Sequence, residues 1–452
     1  MSNLLQFGTA IREITPSYPV WLYGYADRDH RSDGVAEPIY LGCLAVRNGE
    51  HTVLIVTCDL VGVQSHVCDR LHALLERETG IGYPNVLLSC SHTHFAPALH
   101  SRGYRWPQLG IVDPDPRFVA DFETKLVEVA QESLRNTRPG QLETARMRVP
   151  QVLFNRRTAK RDGSVQTNFM YPADLEEYAL GPTDTELTAF RVTDETGVKA
   201  VLVNFGCHPV TGGESRECDH FRISADYVHY LRQTIANRYA CPVFFALGAA
   251  GDAVPINRYQ DCRQRIGSVV GNAVVLAERT YVAESCLDVR ADYLAVDVRT
   301  IIETDPEAAE TEYEQARTAF SAMLSDPDAD PGSGAHRAAA DAYNRKTIAL
   351  LRSRLYSKNR YTVKVQFIKI AGTVWVGLPF EVLSEISIRI KKRFPNSMVV
   401  SCAGGYQGYL PLAYEYGRGG YEASERSTHF EPGTADRLLE AILGKLEEWE
   451  GK

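Results

Sequence analysis

Two histidines, His92 and His94, stand one residue apart at the end of an apolar segment that begins at Asn85. Successive side chains of a strand point to opposite faces, so these two imidazoles would share one face at the end of a buried strand. One could then hold a metal ion while the other transfers protons, because neutral imidazole binds metals and titrates near neutral pH. The same spacing also fits two ordinary histidines at a strand end, so the rest of the chain has to decide.

A third histidine, His208, ends a second apolar segment and is followed by Pro209. Proline cannot donate to a sheet ladder and disfavours helix in the residue before it, so His208 should close a strand and face a loop. Such loops are where sheet-based enzymes place their catalytic groups. A capping or packing histidine fits the same position, and His208 is therefore a candidate for function.

Mixed strands and helices are expected to position these residues. Apolar runs bounded by turns predict strands at 53–58, 86–91, 200–206, 243–247, 362–370 and 373–378. Helical periodicity predicts helices at 118–136, 227–238 and 266–282, and another that begins at Glu381. Two charged segments, 306–324 and 335–357, predict a helical hairpin within residues 305–358, at the surface or at a contact in a homo-oligomer. The fold class is therefore α/β (mixed α+β), with mixed β-sheets flanked by helices.

Composition excludes several classes of partner. The chain has 452 residues, a formal net charge of −8 and no basic run, which argues against nucleic acid or an anionic membrane surface as the main partner. No apolar stretch reaches the ~18 residues of a membrane span, and the N-terminus lacks a signal-peptide pattern. Ten cysteines without short regular spacing predict reduced, buried thiols in a cytoplasmic protein.

Further motifs lie along the chain after His94. They are Asn155-Arg156, Ile223-Ser224-Ala225-Asp226, the loop Gly251-Asp252-Ala253-Val254-Pro255, Leu378-Pro379-Phe380-Glu381, Gly408-Tyr409 and Tyr421-Glu422. Together with the histidine segments they resemble the neutral/alkaline non-lysosomal ceramidase family from the start of the chain to about residue 430. The resemblance implies a single catalytic domain, residues 1–452, without the C-terminal sandwich domain of that family.

The resemblance implies a zinc ion (Zn2+) as cofactor, at a site formed at strand ends. Its ligands would be His92, His208, Glu381 and Tyr409. Imidazole, carboxylate and phenolate are all competent zinc ligands. Zinc lowers the pKa of its bound water to about 7, which makes a nucleophile available at neutral pH.

The resemblance also implies that His94, Arg156 and Tyr421 surround the reacting carbonyl. His94 would relay a proton to the departing amine. Arg156 and Tyr421 would donate hydrogen bonds to the developing oxyanion. Arg157 adjoins Arg156, and the sequence leaves open which of the two faces inward.

The chain departs from the family pattern at several positions. Val254 stands where the family loop commonly has a serine, which excludes a serine nucleophile there and favours the metal route. Phe95 and Phe380 replace smaller residues beside the expected metal, and their bulk should reshape the substrate pocket. The chemistry is therefore expected to be retained more securely than the identity of the substrate.

Two enzyme functions remain open at this stage. The first is zinc-dependent hydrolysis of a linear amide (N-acyl) bond, where the expected cytoplasmic location favours a soluble substrate over membrane ceramide. The second is zinc-assisted glycoside hydrolysis or polysaccharide lyase chemistry on a polyhydroxylated or uronic-acid substrate, with Tyr421 or His94 as acid or base. The partner is accordingly a small molecule or an oligosaccharide. A metal-binding protein without catalysis is a third, weaker alternative.

Overall fold

The computed structural model of the protein describes residues 5–49, 51–212, 219–259, 262–301, 305–356 and 359–451. The ends of the predicted 1–452 domain, and residues 357 and 358 at the end of the predicted hairpin, lie outside this part. Its helices are α1 (Ser65–Thr79), α2 (Pro116–Arg135), α3 (Tyr227–Tyr239), α4 (Cys262–Leu276), α5 (Pro306–Ser325), α6 (Gly334–Leu355), α7 (Ser384–Arg393), α8 (Ala413–Arg418) and α9 (Thr434–Glu450). Short 3-10 turns lie at Pro150–Val152, Ala277–Arg279 and Tyr421–Ala423.

The strands range from two to eleven residues in length. They are β1 (Leu5–Glu13), β2 (Gly34–Val35), β3 (Tyr40–Asn48), β4 (His51–Cys58), β5 (Val86–Cys90), β6 (Arg102–Gly103), β7 (Ile111–Val112), β8 (Arg138–Arg148), β9 (Leu153–Asn155), β10 (Arg157–Lys160), β11 (Val165–Thr167), β12 (Tyr178–Ala179), β13 (Glu186–Asp194), β14 (Gly197–Phe205), β15 (Arg222–Ile223), β16 (Val243–Leu247), β17 (Ala253–Pro255), β18 (Val282–Ala283), β19 (Val289–Arg299), β20 (Arg360–Ile370), β21 (Thr373–Gly377), β22 (Glu381–Val382), β23 (Ser397–Val400) and β24 (Tyr409–Leu410).

Two mixed sheets form the centre of the molecule. The larger has nine strands in the order β16-β14-β13-β8-β1-β3-β4-β5, with β18 added beside β8. Its β14–β16 and β4–β5 pairs are parallel and its other pairs are antiparallel. The smaller sheet has the order β19-β20-β21-β23, with only the β21–β23 pair parallel. The predicted mixed α/β fold class is confirmed.

Alternation along the strands stacks these sheets face to face. In β4, Leu54 and Val56 join a core with helices α1 to α4, whereas Val53 and Ile55 join a core that also contains Trp375 of the smaller sheet. A third core packs α7 and α9 on the far face of the smaller sheet. Because side chains alternate between faces along each strand, the sequence of β4 alone requires two apolar layers. The result is a helix–sheet–sheet–helix arrangement.

The larger sheet is strongly curved, which matters for the site. Phe244 of β16, the edge strand at one end, packs against Gly42 of β3, near the other end. A Cβ at Gly42 would lie only 2.8 Å from the Phe244 ring, so the close approach depends on glycine. The curvature brings the two ends of the sheet, and the loops that follow them, to one side of the molecule.

Helices α5 and α6 pack against each other beside the sheets, around Tyr313, Phe320 and Tyr343. Their bounds agree with the predicted segments to within two residues at each end that the structure describes. Helix α5 begins at a proline after Asp305, whose side chain accepts hydrogen bonds from two backbone N–H groups of the first turn. Among the described helices, none is both long and apolar enough to cross a bilayer.

Candidate metal centre and catalytic site

His92 and His94 follow β5, but they are not strand residues. The strand ends at Cys90, and His92 has a φ of 69°, in the left-handed region that non-glycine residues rarely adopt. Its backbone N–H donates to the carbonyl of Leu60 at 2.9 Å, which holds the turn. The two imidazoles nevertheless face each other, with their Nε2 atoms 3.4 Å apart. The prediction that strand alternation brings them together is therefore wrong in its cause, because a turn does so.

His208 brings a third imidazole to the same place. It follows β14, as predicted, and its backbone N–H donates to the carbonyl of Ala253 at 2.9 Å. Its Nε2 lies 3.1 Å from Nε2 of His94. The three side chains offer nitrogen atoms that all lie within 4.8 Å of one another, a group able to hold a metal ion. The curvature of the sheet is what allows loops from its opposite ends to meet.

Backbone carbonyls fix the proton on two of these imidazoles. The Nδ1 atom of His92 lies 2.6 Å from the carbonyl of Val61, and that of His208 lies 3.0 Å from the carbonyl of Ala250. A carbonyl only accepts, so each Nδ1 carries the proton and each Nε2 presents a lone pair to the site. Nδ1 of His94 has no such partner in the described part of the chain. Burial lowers the pKa of His94 and of His208 well below the usual range, which favours the neutral form.

Glu381 reaches the imidazoles from a short strand. The sequence predicted that Glu381 begins a helix, but it lies in β22, paired in parallel with β24, and α7 begins only at Ser384. In this register Glu381 stands directly beside Tyr409, so one strand pair positions both predicted ligands. The carboxylate is almost fully buried, and its Oε1 accepts a hydrogen bond of 2.6 Å from the Tyr406 hydroxyl.

The second carboxylate oxygen of Glu381 faces acceptors. Oε2 lies 3.2 Å from Nε2 of His92 and 3.8 Å from Nε2 of His208. It is buried and has no hydrogen-bond donor within the described residues. A carboxylate and two imidazole lone pairs that converge without a donor fit a bound cation, and nitrogen with oxygen is a donor set that suits zinc.

Arg156, and not Arg157, faces this cluster. Its Nη2 donates to the Tyr409 hydroxyl at 2.8 Å and to the carbonyl of Gly251 at 2.9 Å, and its Nε donates to Glu422 at 2.6 Å. Burial opposes the charge, but Tyr409, Glu422 and Glu381 together raise the pKa of Arg156. The guanidinium is therefore a permanently charged donor, held in place by one carboxylate and one carbonyl.

Arg157 points away and completes a buried ion network. It donates to Glu415 at 3.1 Å and to Glu422 at 2.9 Å. Glu422 therefore bridges the two arginines, with one oxygen on each. This arrangement answers the question that the sequence left open, because Arg156, in the bend between β9 and β10, and Arg157, the first residue of β10, project their side chains in different directions.

Tyr421 lies at the mouth of the site. Its side chain is 39% exposed, and its ring centroid lies 5.6 Å from that of Tyr409. The exposed Phe169 packs edge-on against it at 5.9 Å. The phenol thus stands between the buried cluster and solvent, where a substrate would enter.

The loop that carries Val254 is hydrogen-bonded to two neighbouring segments of the site. Val254 is fully buried in β17, which pairs with β9. The Asp252 carboxylate accepts hydrogen bonds from the backbone N–H and hydroxyl of Ser384, at 2.8 and 2.7 Å, and from Asn155 at 2.8 Å. The loop therefore ties the start of α7 to the segment that carries Arg156.

The two bulky residues predicted to reshape the pocket are both fully buried. Phe380 packs edge-on against Phe430, with centroids 5.5 Å apart, in the core around the smaller sheet. Phe95 packs against Tyr25 at 5.8 Å and beneath the guanidinium of Arg28 at 5.7 Å. Both rings are therefore packed in the protein interior.

Two functional groups escaped the sequence analysis. Tyr406 holds Glu381, and Glu422 holds Arg156, yet neither was assigned a role. Glu422 adjoins Tyr421 and stood within a quoted motif, so its position was a usable signal. Tyr406 lies three residues before Tyr409 in a glycine-rich segment, and only the folded chain shows that its hydroxyl meets the carboxylate.

Comparisons with known proteins identify a family and a similar fold. Residues 5–228 match the family model described as neutral/alkaline non-lysosomal ceramidase, N-terminal. A crystal structure of neutral ceramidase from Pseudomonas aeruginosa superposes with a TM-score of 0.70 at 15% identity, covering 98% of this chain and 74% of that one. A ceramidase structure described as complexed with C2 gives a TM-score of 0.71 at 15% identity, with the same coverage. Residues 5–228 therefore belong to the neutral/alkaline non-lysosomal ceramidase family, and the similarity of fold extends through nearly the whole chain.

Proposed function

We propose that this protein is a zinc-dependent amidohydrolase that cleaves a linear N-acyl amide bond of a small-molecule substrate. Membership of residues 5–228 in the ceramidase family supports a ceramidase-like hydrolase. The observation that carries the proposal is the buried convergence of His92, His208 and Glu381 next to the Arg156–Tyr409 pair. Acceptors for a cation and donors for an oxyanion lie side by side, as amide hydrolysis requires.

The residues that would hold zinc are His92, His208, Glu381 and Tyr409. The first two present lone pairs that backbone carbonyls fix, and Glu381 has an unpartnered buried oxygen among the described residues. Tyr409 stands beside Glu381 in the paired strands. When bound, zinc polarises a carbonyl oxygen and lowers the pKa of water to about 7, so that a nucleophile is available at neutral pH.

His94 is proposed as the proton carrier. Its Nε2 lies close to those of both other histidines, while its Nδ1 lacks a fixed partner in the described part of the chain. It is thus free to change the nitrogen that bears its proton. During hydrolysis it would take one proton from the attacking water, and return it to the amide nitrogen as the carbon–nitrogen bond breaks.

Arg156 and Tyr421 are proposed to stabilise the oxyanion that develops on the carbonyl. Glu422 and the carbonyl of Gly251 orient Arg156 before any substrate binds, so little reorganisation accompanies the reaction. Tyr421, at the mouth, would donate its hydroxyl proton in a hydrogen bond from the solvent side. Removal of one such donor costs about 3 kcal/mol of transition-state stabilisation in other enzymes.

Substrate screening tests this function directly. Neither the family match nor the fold favours the alternative of glycoside hydrolysis or polysaccharide lyase chemistry. Purified protein loaded with zinc should release amines from N-acyl amines and leave uronic-acid oligosaccharides intact. Cleavage confined to the oligosaccharides would overturn the proposal.

We further propose a cytoplasmic location and a single catalytic unit. Cys58 and Cys90 lie with their sulfur atoms 3.6 Å apart as separate thiols, which supports a reducing compartment. The site draws on residues from His92 to Tyr421, which supports one unit. Fractionation of cells that express the native protein would test the location, and recovery in the membrane or exported fraction would contradict it.

A further inference from the structure

A cavity of about 770 Å³ lies between α6 and the segment that follows Tyr421. Its charged lining residues are four basic side chains and one acidic one, namely Arg345, Lys346, Arg352, Arg426 and Glu425. We call it the Arg352 cavity. An excess of positive charge in this place contrasts with the net charge of −8 on the whole chain.

Arg352 forms the buried part of this lining. Its side chain is only 7% exposed, and neither Nε nor Nη2 meets a hydrogen-bond acceptor in the part of the chain that the structure describes. Burial lowers the pKa of Arg352 to about 10, although Tyr356 and Glu425 act in the opposite direction. A buried guanidinium is unfavourable unless an acceptor compensates it, and no carboxylate among the described residues forms an ion pair or hydrogen bond with this one, so an anion in the cavity would supply the missing acceptor.

The neighbouring basic side chains are different. Lys346 forms an ion pair with Glu312 at 2.6 Å, Arg426 pairs with Asp341 and Arg354 pairs with Glu310, all near the surface. Within the part of the chain that the structure describes, carboxylates therefore pair with Lys346, Arg354 and Arg426, whereas none pairs with the buried Arg352. Such a distribution is the reverse of what stability alone favours, because an unpaired charge costs most where it is buried.

We propose that the Arg352 cavity binds an oxyanion, such as a phosphate, sulfate or carboxylate group. A guanidinium presents a planar set of donors that matches two oxygens of these groups. Arg345 and Arg426 at the rim would attract the anion, and the Thr428 side chain adds a hydroxyl group to the lining.

The cavity also adjoins the proposed active site. Ile348 and Arg426 line both the Arg352 cavity and a neighbouring cavity of about 410 Å³ that contains Tyr421. An oxyanion at Arg352 can therefore be a free ion or a charged group of the substrate whose amide lies near Tyr421. Both sources would present an oxyanion to Arg352, and only a charged group of the substrate rests on the proposed function.

Inorganic phosphate is the probe for the site itself. Isothermal titration of the full-length protein with phosphate, at constant ionic strength set with chloride, should show saturable binding. Arg352→Met removes the guanidinium but keeps an unbranched stem, and it should weaken phosphate binding about tenfold or more. Arg354→Gln, two residues along the same helix, is the matched control and should bind as the wild type does.

A second variant guards against misfolding of Arg352→Met. Arg345→Gln changes an exposed residue at the rim, so it should fold normally and bind phosphate more weakly than Arg354→Gln. Absence of saturable phosphate binding to the wild type would overturn the inference. Equal affinities in the wild type and all three variants would do so as well. These binding measurements do not require catalysis, so their outcome is independent of whether the protein hydrolyses amides.

Substrate kinetics then assign the source of the anion. If the substrate carries it, N-acyl amino acids should have a lower KM than N-acyl amines of equal acyl length, and Arg352→Met should abolish that difference. If the anion is free, both substrates should respond alike to Arg352→Met and to added phosphate. Each result supports oxyanion binding and names its source.

Discussion

The Nε2 atoms of His94 and His208 lie 3.1 Å apart, although 114 residues separate the two histidines in the chain. His208 commits its Nδ1 proton to the carbonyl of Ala250, so its Nε2 can only accept. His94 has no comparable partner in the described part of the chain and can carry its proton on either nitrogen. One imidazole is thus fixed as a potential ligand, and its neighbour is free to move protons.

The fixed imidazoles should be required for metal binding. Because the Nε2 lone pairs of His92 and His208 converge with a Glu381 oxygen that has no donor among the described residues, His92→Ala and His208→Ala should each lose stoichiometric zinc. Elemental analysis of the purified variants measures this. His66→Ala, which changes an exposed histidine, is the control and should keep its zinc. Full retention of zinc in both site variants would refute the ligand assignment.

His94 should be required for the rate of hydrolysis and not for metal binding. Removal of a general acid or base typically lowers the rate by roughly 10²–10⁴-fold. His94→Ala should therefore keep its fold and its zinc while kcat falls by about that factor. Circular dichroism, elemental analysis and steady-state kinetics on one preparation would separate these effects. Loss of zinc in step with activity would place His94 among the ligands instead.

Many of the strands and helices were predictable, because local sequence patterns determine them. The strand predicted at 243–247 is found at Val243–Leu247, and the helix predicted at 227–238 is found at Tyr227–Tyr239. Apolar runs bounded by turns fix such elements without help from distant residues. The predicted helix at 266–282 ends early, at Leu276, because Val282 pairs instead with Thr144 of β8.

The errors near the site have long-range causes. Glu381 does not begin α7, since pairing with Tyr409 draws it into a strand, and Asp252 caps the helix at Ser384 from 132 residues away. The turn at His92 likewise depends on Leu60, and the hold on Glu381 depends on Tyr406. Local sequence patterns do not show contacts with distant residues. The identities of the site residues were therefore predictable from the sequence, whereas their geometry was not.

The two adjacent arginines should differ in their effect on catalysis. Arg156 donates to Tyr409, whereas Arg157 contacts only supporting groups among the residues described. Arg156→Lys keeps the charge but loses the planar fork, and should lower kcat about 10²-fold or more. Arg157→Lys, the matched control, should lower kcat much less and mainly reduce thermal stability. Equal losses of kcat in the two variants would contradict the orientation found for Arg156.

Turnover should leave no covalent adduct on the loop from Gly251 to Asn257. Val254 has no nucleophilic atom, and Asp252 is buried with its carboxylate oxygens bound to Ser384 and Asn155. Rapid quenching with a slow N-acyl substrate, followed by intact-mass analysis and peptide mapping, should show unmodified loop peptides. An acylated residue anywhere in this loop would exclude direct attack by water.

His72 should make the protein lose stability in mild acid. The side chain is buried in α1 beside Tyr83, and neither ring nitrogen has a hydrogen-bond partner within the described residues. Burial lowers the pKa of His72 from its ordinary value of 6.5 to about 4. The unfolded chain therefore takes up a proton as pH falls through about 6.5, while the folded protein resists uptake until about pH 4, so stability is lost across this window.

The size of that loss can be isolated with one substitution. A single group with these two pKa values lowers the free energy of unfolding by about 2 kcal/mol between pH 7 and pH 5. His72→Phe removes the titrating group and keeps a ring against Tyr83, so its free energy of unfolding should fall by about 2 kcal/mol less over the same interval. Urea unfolding of both proteins at the two pH values measures the difference. If the two proteins lose the same stability, His72 is not buried as a neutral imidazole, and the packing of α1 against Tyr83 must differ from that described.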